Sequence, residues 1–552
     1  MNKKAFAGLF LLIVIGAAAL RFFDLGLRPM HHDEANQAVK FGALLEKGEY
    51  RYDRADHHGP SLYYLSLPFA RVLGADRLAE LNERTIRLVP AFFGLGAVIL
   101  LLLFVPLIGK ERVLWGALGL ALSPVLVYFG RFYIQETLLL FFLTGFVAAV
   151  WRYKRNPSWT WAVTAGFFAG MMYATKETSV IAFGSIAAAL LLGSLLRRKI
   201  RGDRPAPGKL GRKDTGPEDM DLEKPARSEQ KKEEASGAKG AGRRFSADIL
   251  MGLGTAILVS LLLYTSFFKN PRGFIDSILS FKVYFVRAAE AGFHVQPWSY
   301  YLRKLAFSKT GSGPVWSEGL ILILAAAGIV AALRLRTDKR ERLFLVFLSL
   351  YTVISTAAYS LIPYKTPWNI LPFYLGFILL AGTGATALLH AFRSRAIRAA
   401  VFLLLAAGFL HLGAQARRAG WNYAADPRNP YVYSQTSPGF LKLVRRVEDM
   451  SAVHPDREKM LIEVVAGPYE TWPLPWYLRR FGRVGYWTRA DEAPPPGDAS
   501  VLITDTEQAG RLESILNTYY QSEYYELRPG VFLVLHVRND LWDEYLKSRA
   551  GK

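Results

Sequence analysis

Cysteine is missing altogether from the 552 residues. That absence excludes disulfides and thiolate metal sites and leaves the redox compartment open. Charge is missing locally: AGLFLLIVIGAAAL, AFFGLGAVILLLLFVPLIG and LILILAAAGIVAAL contain no Asp, Glu, Lys or Arg. A glycine-rich nucleotide fingerprint finds little support, since VAGPYE in the C-terminal part is not G-x-G-x-x-G.

What is present is apolar residue gathered in blocks. Hydrophobic residues make up 51% of the chain, and the uncharged runs are its densest parts. Each is long enough to cross a hydrocarbon core of roughly 30 Å. Backbone groups in lipid must be satisfied within the segment, so such runs are helices. Spans are expected at 5–23, 86–108, 113–130, 134–151, 158–175, 178–196, 248–268, 317–334, 342–360, 369–389 and 398–416, about eleven in all. The start, a basic MNKK, an apolar stretch and small residues at Ala17–Ala19, also has the form of a cleavable signal. The length of its apolar stretch and the many later spans favour a retained anchor.

A net charge of +22 would suit a nucleic-acid partner. Much of it, however, falls in MNKK, GKER, WRYKR, RRKIR, RLRTDKRER and AFRSRAIR, the short connections of one side. Positive charge in such connections is a topology signal that marks the cytoplasmic face. The reading is a multi-pass protein of the cytoplasmic (inner) membrane, with no nucleic-acid partner and a cytoplasmic N-terminus. Loop 24–85, the turns near 131 and 176, loop 269–316 and the C-terminus then lie outside.

Two segments depart from the membrane pattern. Residues 197–247 are rich in Lys, Arg, Glu, Asp, Gly and Pro and poor in large apolar side chains, which reads as a disordered cytoplasmic loop. From 419 to 552, KMLIEVVAG, ASVLITDT and VFLVLHVR look like buried strands. GFLKLVRRVEDM and QAGRLESILNTYYQSEYY carry helical periodicity. Together they predict a small extracytoplasmic α/β domain. Its tract TWPLPWYLRR would pack, or meet a glycan or the membrane surface.

Loop 24–85 opens with RPMHHDEANQ, which places Asp33 and Glu34 just beyond the first span. Asp33 suits an N-cap for the amphipathic stretch EANQAVKFGALLEKGEY, expected as an interfacial helix. Other ionisable groups fall on the same side: His57 and His58 in ADHHGPSLYYLSLPF, Arg131 and Glu136 in GRFYIQETLLLFF, Lys176–Glu177, and Lys365 in LIPYKTPWN. Charges in lipid cost roughly 2.5–3.5 kcal/mol each on insertion scales, so they gather at interfaces or in functional cavities. Carboxylates and cations at a membrane surface suit a donor made of lipid, phosphate and sugar. A carboxylate would deprotonate an acceptor hydroxyl, and Arg or Lys would stabilise the departing phosphate.

These features resemble the GT-C superfamily of membrane glycosyltransferases. The branch is that of the protein O-mannosyltransferases and the lipid A aminoarabinose transferase, within which the chain looks like the prokaryotic flippase-activity-associated proteins. The resemblance covers about residues 5–416 and rests on the acid pair after the first span, on His58-Gly59-Pro60, and on Arg131 followed by Glu136. It implies a mainly α, polytopic GT-C fold, with 1–418 as a glycosyltransferase-like membrane domain. It implies an inverting transfer from a polyprenyl-phosphate sugar to a glycan, lipid or protein acceptor at the extracytoplasmic face. Asp33, with Glu34, becomes the catalytic candidate, while His58, Arg131, Glu136, Lys176 and Lys365 become candidates for the donor phosphate and substrate. Where the aminoarabinose transferase pattern has Arg and Tyr after the acids, this chain has Asn36 and Gln37. Phosphate contact is then expected to move to Arg131, Lys176 or Lys365. No cofactor is required by the motifs, but His31, His32, Asp33, His57 and His58 could supply ligands to a divalent zinc or manganese ion. A transporter of lipid-linked glycan and a non-catalytic assembly scaffold are the rival readings.

Overall fold

The computed structural model describes residues 1–55, 58–202, 245–289, 294–334 and 338–550. The protein is mainly helical, and a helix stands at each of the eleven expected stretches. Among the described residues, seven helices are long and apolar enough to cross a membrane: Lys3–Phe22, Glu83–Ile108, Glu136–Arg155, Phe245–Tyr264, Lys339–Leu361, Pro367–Ala391 and Arg395–Asn422. Shorter apolar helices lie at Ser179–Leu195 and Gly319–Arg334. The stretch expected as one span at 113–130 is broken into Lys110–Leu122 and Pro124–Phe129. Ser123 caps the second piece through its hydroxyl and Pro124 occupies its first turn, where a missing N–H costs nothing.

The helix Ile370–Ala391 forms the centre of the bundle, with most of its length buried, whereas Lys3–Phe22 is largely peripheral. Glycines let backbones meet around it. A Cβ on Gly384 would collide with the carbonyl oxygen of Leu324, and one on Gly328 with that of Leu380. Helix Gly319–Arg334 can therefore lie directly on Ile370–Ala391, since only a residue without a side chain fits there.

The ends of the expected loop 197–247 continue the flanking helices Ser179–Gly202 and Phe245–Tyr264. Residues 203–244 lie outside the described residues. The C-terminal part holds a five-stranded sheet of order β2-β1-β3-β5-β4. Its strands are β1 (Ile462–Val465), β2 (Val484–Trp487), β3 (Val501–Asp505), β4 (Tyr520–Arg528) and β5 (Val531–Arg538). β1 pairs in parallel with β2 and β3, and β5 runs antiparallel to β3 and β4. Leu443, Val447 and Met450 of helix Phe440–Val453 fill one face with Ile462, Ile503 and Leu535. The stretch QAGRLESILNTYYQSEYY is helical only as far as Tyr519. Its tail becomes β4, because Gly530 at φ 79° closes a hairpin onto β5 and the tail pairs there.

This domain sits on loop 24–85. Trp476 Nε1 donates to Glu83 at 3.0 Å, Gln435 Nε2 donates to the Pro29 carbonyl at 3.0 Å, and the Met30 N–H donates to the Tyr477 hydroxyl at 2.9 Å. The aromatic tract TWPLPWYLRR thus packs, with Trp476 fully buried.

Beneath that contact lies the ion network that fixes the acid-pair turn. Glu34 is completely buried. Arg87 grips it with Nε at 2.8 Å and Nη2 at 2.8 Å, and Arg28 donates at 2.9 Å. The backbone N–H groups of Tyr133 and His31 add bonds at 2.9 and 3.1 Å. Arg87 also donates to the carbonyls of Leu25 and Arg28, at 2.8 and 3.0 Å. Burial pushes the Glu34 carboxyl up, but the two guanidinium charges and these hydrogen bonds outweigh it and bring the carboxyl down to about 2.

Two stability predictions follow from these contacts. Gly384→Ala should cost at least about 1–3 kcal/mol, the range for overpacked cores; an unfolding midpoint equal to wild type would contradict the close approach. Glu34→Gln should lose about 3–5 kcal/mol at neutral pH, as for a broken buried ion pair. Because the Glu34 carboxyl lies at about 2 when folded and near 4.5 otherwise, its contribution is present above 4.5 and fades as pH falls toward 2. Thermal unfolding of both proteins across that range should show the gap narrowing with acid; a constant gap would contradict it.

Candidate active site

Helix His32–Lys47 begins with a capping box in which His31, not Asp33, is the cap. His31 Nδ1 accepts the Asp33 N–H at 3.0 Å while Glu34 accepts the His31 N–H. Its Nε2 meets the Tyr433 carbonyl at 2.9 Å, which requires the proton on Nε2 and a neutral ring. Capping is therefore done without the Asp33 carboxylate. That side chain stays 40% exposed, beside a neighbour that is fully enclosed.

The surroundings of Asp33 are basic. Burial pushes its carboxyl up, but the nearby imidazoles of His31, His32 and His58 and the Lys176 ammonium outweigh this and hold it below its ordinary value. Burial pulls His32 down to about 4, and Lys176 lies within electrostatic reach of Asp33. Lys176 is ion-paired with Glu136 at the first turn of helix Glu136–Arg155. The other Glu136 oxygen, Oε2, is buried without a hydrogen-bond partner among the described residues. His58 Nδ1 lies 2.9 Å from Glu177, which is itself buried. Gly59 lies so close to the Ala174 carbonyl that a Cβ there would collide with it, and the Ser61 N–H donates to the same carbonyl at 2.9 Å. These contacts bind the His58-Gly59-Pro60 turn to the Lys176–Glu177 turn. Asp33, His58, Glu136 and Lys176 are thus brought to one neighbourhood.

The remaining candidates are placed elsewhere. Glu34 is enclosed by Arg28 and Arg87, which suits it to positioning the turn and not to proton transfer. Arg131 donates to the carbonyls of Phe23 at 2.6 Å and Asp24 at 2.9 Å and stacks on Trp421 at 4.2 Å. It satisfies backbone oxygens left open where helix Lys3–Phe22 ends. Lys365 is buried and donates to the carbonyls of Gln296 and Ile362. Gln37, where a relative would have Tyr, accepts hydrogen bonds from Tyr63 and Gln135. For a metal, no three His, Cys, Asp or Glu side chains among the described residues are grouped to hold one, and His57 lies outside them. Both His31 nitrogens are engaged, and His32 packs beside Tyr469 and Trp472.

Some of the site was not anticipated. His294 and Tyr433 lie near enough to Asp33 to feel its charge, and His294 Nδ1 is 2.7 Å from the Tyr433 hydroxyl. They come from a loop and from the C-terminal part, and no local motif joins them. Arg28 and Arg87 did leave a signal: an arginine at the outer edge of an apolar span calls for a buried partner.

Residues 68–206 match the family described as dolichyl-phosphate-mannose-protein mannosyltransferase. No curated protein matches the sequence. Among solved structures, the apo form of ArnT from Cupriavidus metallidurans is similar at TM-score 0.60 and 15% identity, over 96% of this chain and 98% of that one. The same protein bound to undecaprenyl phosphate gives 0.57 and 14%, over 98% and 99%. The archaeal oligosaccharyltransferase AglB from Archaeoglobus fulgidus, in complex with an inhibitory peptide and a dolichol-phosphate, gives 0.54 and 12%, over 98% of this chain and 77% of that one. In its helical bundle and C-terminal sheet the chain has the fold of these structures, a GT-C-like fold.

Proposed function

We propose that the protein is an inverting glycosyltransferase. It takes a sugar from a polyprenyl-phosphate donor and passes it to a hydroxyl-bearing glycan, lipid or protein at the extracytoplasmic membrane face. The observation that carries this reading is the pairing of unlike acids. Glu34 is consumed by arginines, while Asp33 is ionised, partly exposed and faced by Lys176 and His58.

Asp33 acts as general base. It takes the proton of the acceptor hydroxyl as that oxygen attacks the anomeric carbon, and the bond from that carbon to the phosphate oxygen breaks on the opposite side. The electron pair leaves with the polyprenyl phosphate, so one glycosidic bond forms, one breaks and the anomeric centre inverts. Lys176 stabilises the phosphate as charge builds on it, and His58 lines the same end of the donor. Glu136 holds Lys176 and Glu177 holds His58, so both side chains are oriented before substrate arrives. The resemblance to proteins solved with undecaprenyl phosphate and dolichol-phosphate supports a lipid-phosphate donor.

Full-length protein in lipid nanodiscs, given radiolabelled polyprenyl-phosphate sugars and crude envelope acceptors, tests this. Asp33→Asn should remain folded and lose roughly 10²–10⁴-fold in transfer, the usual contribution of a general base. Undiminished transfer by the variant would refute the role of Asp33, and no transfer by wild type from any donor would refute the enzyme. Lys176→Met combined with Glu136→Gln avoids an unpaired buried acid and should lower kcat by about 10²-fold, as for loss of one transition-state donor; unchanged kcat would remove Lys176 from the phosphate. Since Asp33 lies below its ordinary 3.8 and must be ionised to act, the acid limb of its pH–rate profile should fall below that value. A limb near pH 6 would assign the base to another group.

A further inference from the structure

The reaction proposed above accounts for Asp33 but not for the aromatic group beside it. His32, the preceding residue, has its ring 6.3 Å from that of Tyr469 and 5.9 Å from that of Trp472. Both partners come from the loop that follows β1 in the C-terminal sheet. Further along that stretch Trp476 is fully buried, whereas Trp472 is half-buried and Tyr469 is 68% exposed. Asp33 and Tyr469 thus each present a functional group to solvent on either side of His32.

Sheet topology places this loop. In the order β2-β1-β3 the chain leaves β1 for one neighbour and then crosses to the other, so the winding reverses between β1 and β3. Ligands of open α/β sheets bind beyond the carboxyl ends of the strands at such a point. The carboxyl end of β4 reaches the same edge, because β3 and β4 both run antiparallel to β5. There Arg528 donates to the Tyr469 carbonyl at 3.2 Å and lies 3.5 Å from the Glu470 carboxylate. The loop itself is held tightly. The Gly467 N–H donates to Asp505 at 2.9 Å, and the N–H groups of Glu470 and Thr471 donate to the Gly467 carbonyl at 3.0 and 2.9 Å.

A sugar ring matches this set of groups. It has an apolar face of C–H bonds, whose partly positive hydrogens are drawn to the negative face of an aromatic ring. Its rim carries hydroxyls that both donate and accept, and Glu470 accepts while Arg528 donates. A peptide would look for open backbone N–H groups, and those of Gly467, Glu470 and Thr471 are taken. A lipid would look for continuous apolar surface, and Tyr469 is followed by a charged residue. We propose that Tyr469, Trp472, Glu470 and Arg528 form the acceptor subsite and that the acceptor is a glycan. One of its rings stacks on Tyr469 beside Trp472, its rim meets Glu470 and Arg528, and the hydroxyl to be glycosylated reaches Asp33. This rests on the transferase reading and adds to it the class of acceptor and the domain that selects it.

Saturation-transfer NMR on the full chain in nanodiscs, with maltotriose, mannotriose and chitotriose as probes, reads such stacking without turnover. At least one trisaccharide should receive saturation on the C–H protons of a ring face. Tyr469→Ala should weaken its binding by about tenfold, the upper range for one aromatic contact. Tyr469→Trp should keep the binding, and Tyr524→Ala, at a tyrosine also 68% exposed, should match wild type. Asp33→Asn should still bind, since the platform does not depend on turnover. In the transfer assay the label should enter glycan, and Tyr469→Ala should raise the acceptor KM by about tenfold with the donor KM unchanged. Saturation of none of the trisaccharides, equal binding by Tyr469→Ala, or label joined directly to protein or to a lipid bearing no other sugar would overturn the subsite; the last would leave the transferase reading standing. No transfer from any donor, with trisaccharide binding retained, would instead refute that reading and the acceptor role with it.

Discussion

A carboxylate taken out of water stays ionised only if cations and donors replace its hydration. Glu34 meets that demand with Arg28, Arg87 and two backbone N–H groups. These partners come from three places: the turn after the first span, the helix Glu83–Ile108, and the loop before Glu136. One buried charge therefore fixes the mutual position of the elements that surround Asp33. The next residue along the helix points about 100° away and keeps its carboxylate open. Adjacent acids thus end in different surroundings, one enclosed by arginines and one left within reach of a lysine.

The same logic sorts the cations. Helix ends leave carbonyl oxygens unsatisfied, and in a membrane no bulk water repairs them. Arg131 is spent on the carbonyls of Phe23 and Asp24, Lys365 on that of Ile362 and Arg21 on that of Leu120, all at helix ends. Lys176 is held by a side-chain carboxylate instead, and that pairing leaves it near Asp33. In the sequence all of these look alike, as basic residues at span edges. What separates them is whether their nearest acceptor is backbone or side chain.

Much of the fold was legible in the sequence because lipid imposes a simple rule on length and charge. Every apolar run became a helix, and the buried strands of the C-terminal part formed as read. The departures have local causes. Ser123–Pro124 interrupts what looked like one span, since the apolar composition continues across a cap that hydropathy does not see. The tail of QAGRLESILNTYYQSEYY became strand β4 because pairing with β5 outweighed helical periodicity. Within the site, Asp33, His58, Glu136 and Lys176 are candidates by their position at span edges and by the family resemblance, and the fold brings them to one neighbourhood. The cap that Asp33 suits falls instead to a His31 ring nitrogen, in the role usually held by Asp or Ser. His294 and Tyr433 were out of reach, being joined to Asp33 only by the tertiary fold.

The central claim is that Asp33 and Lys176 face the reacting end of a lipid-phosphate sugar while Glu34 and Arg131 do not. A structure of the Asp33→Asn protein with a non-hydrolysable polyprenyl-phosphonate sugar tests it most directly. The account predicts the phosphonate within hydrogen-bonding distance of Lys176 and the residue-33 amide on the opposite side of the anomeric carbon. A phosphonate held by Arg131, with Lys176 still bound only to Glu136, would contradict it.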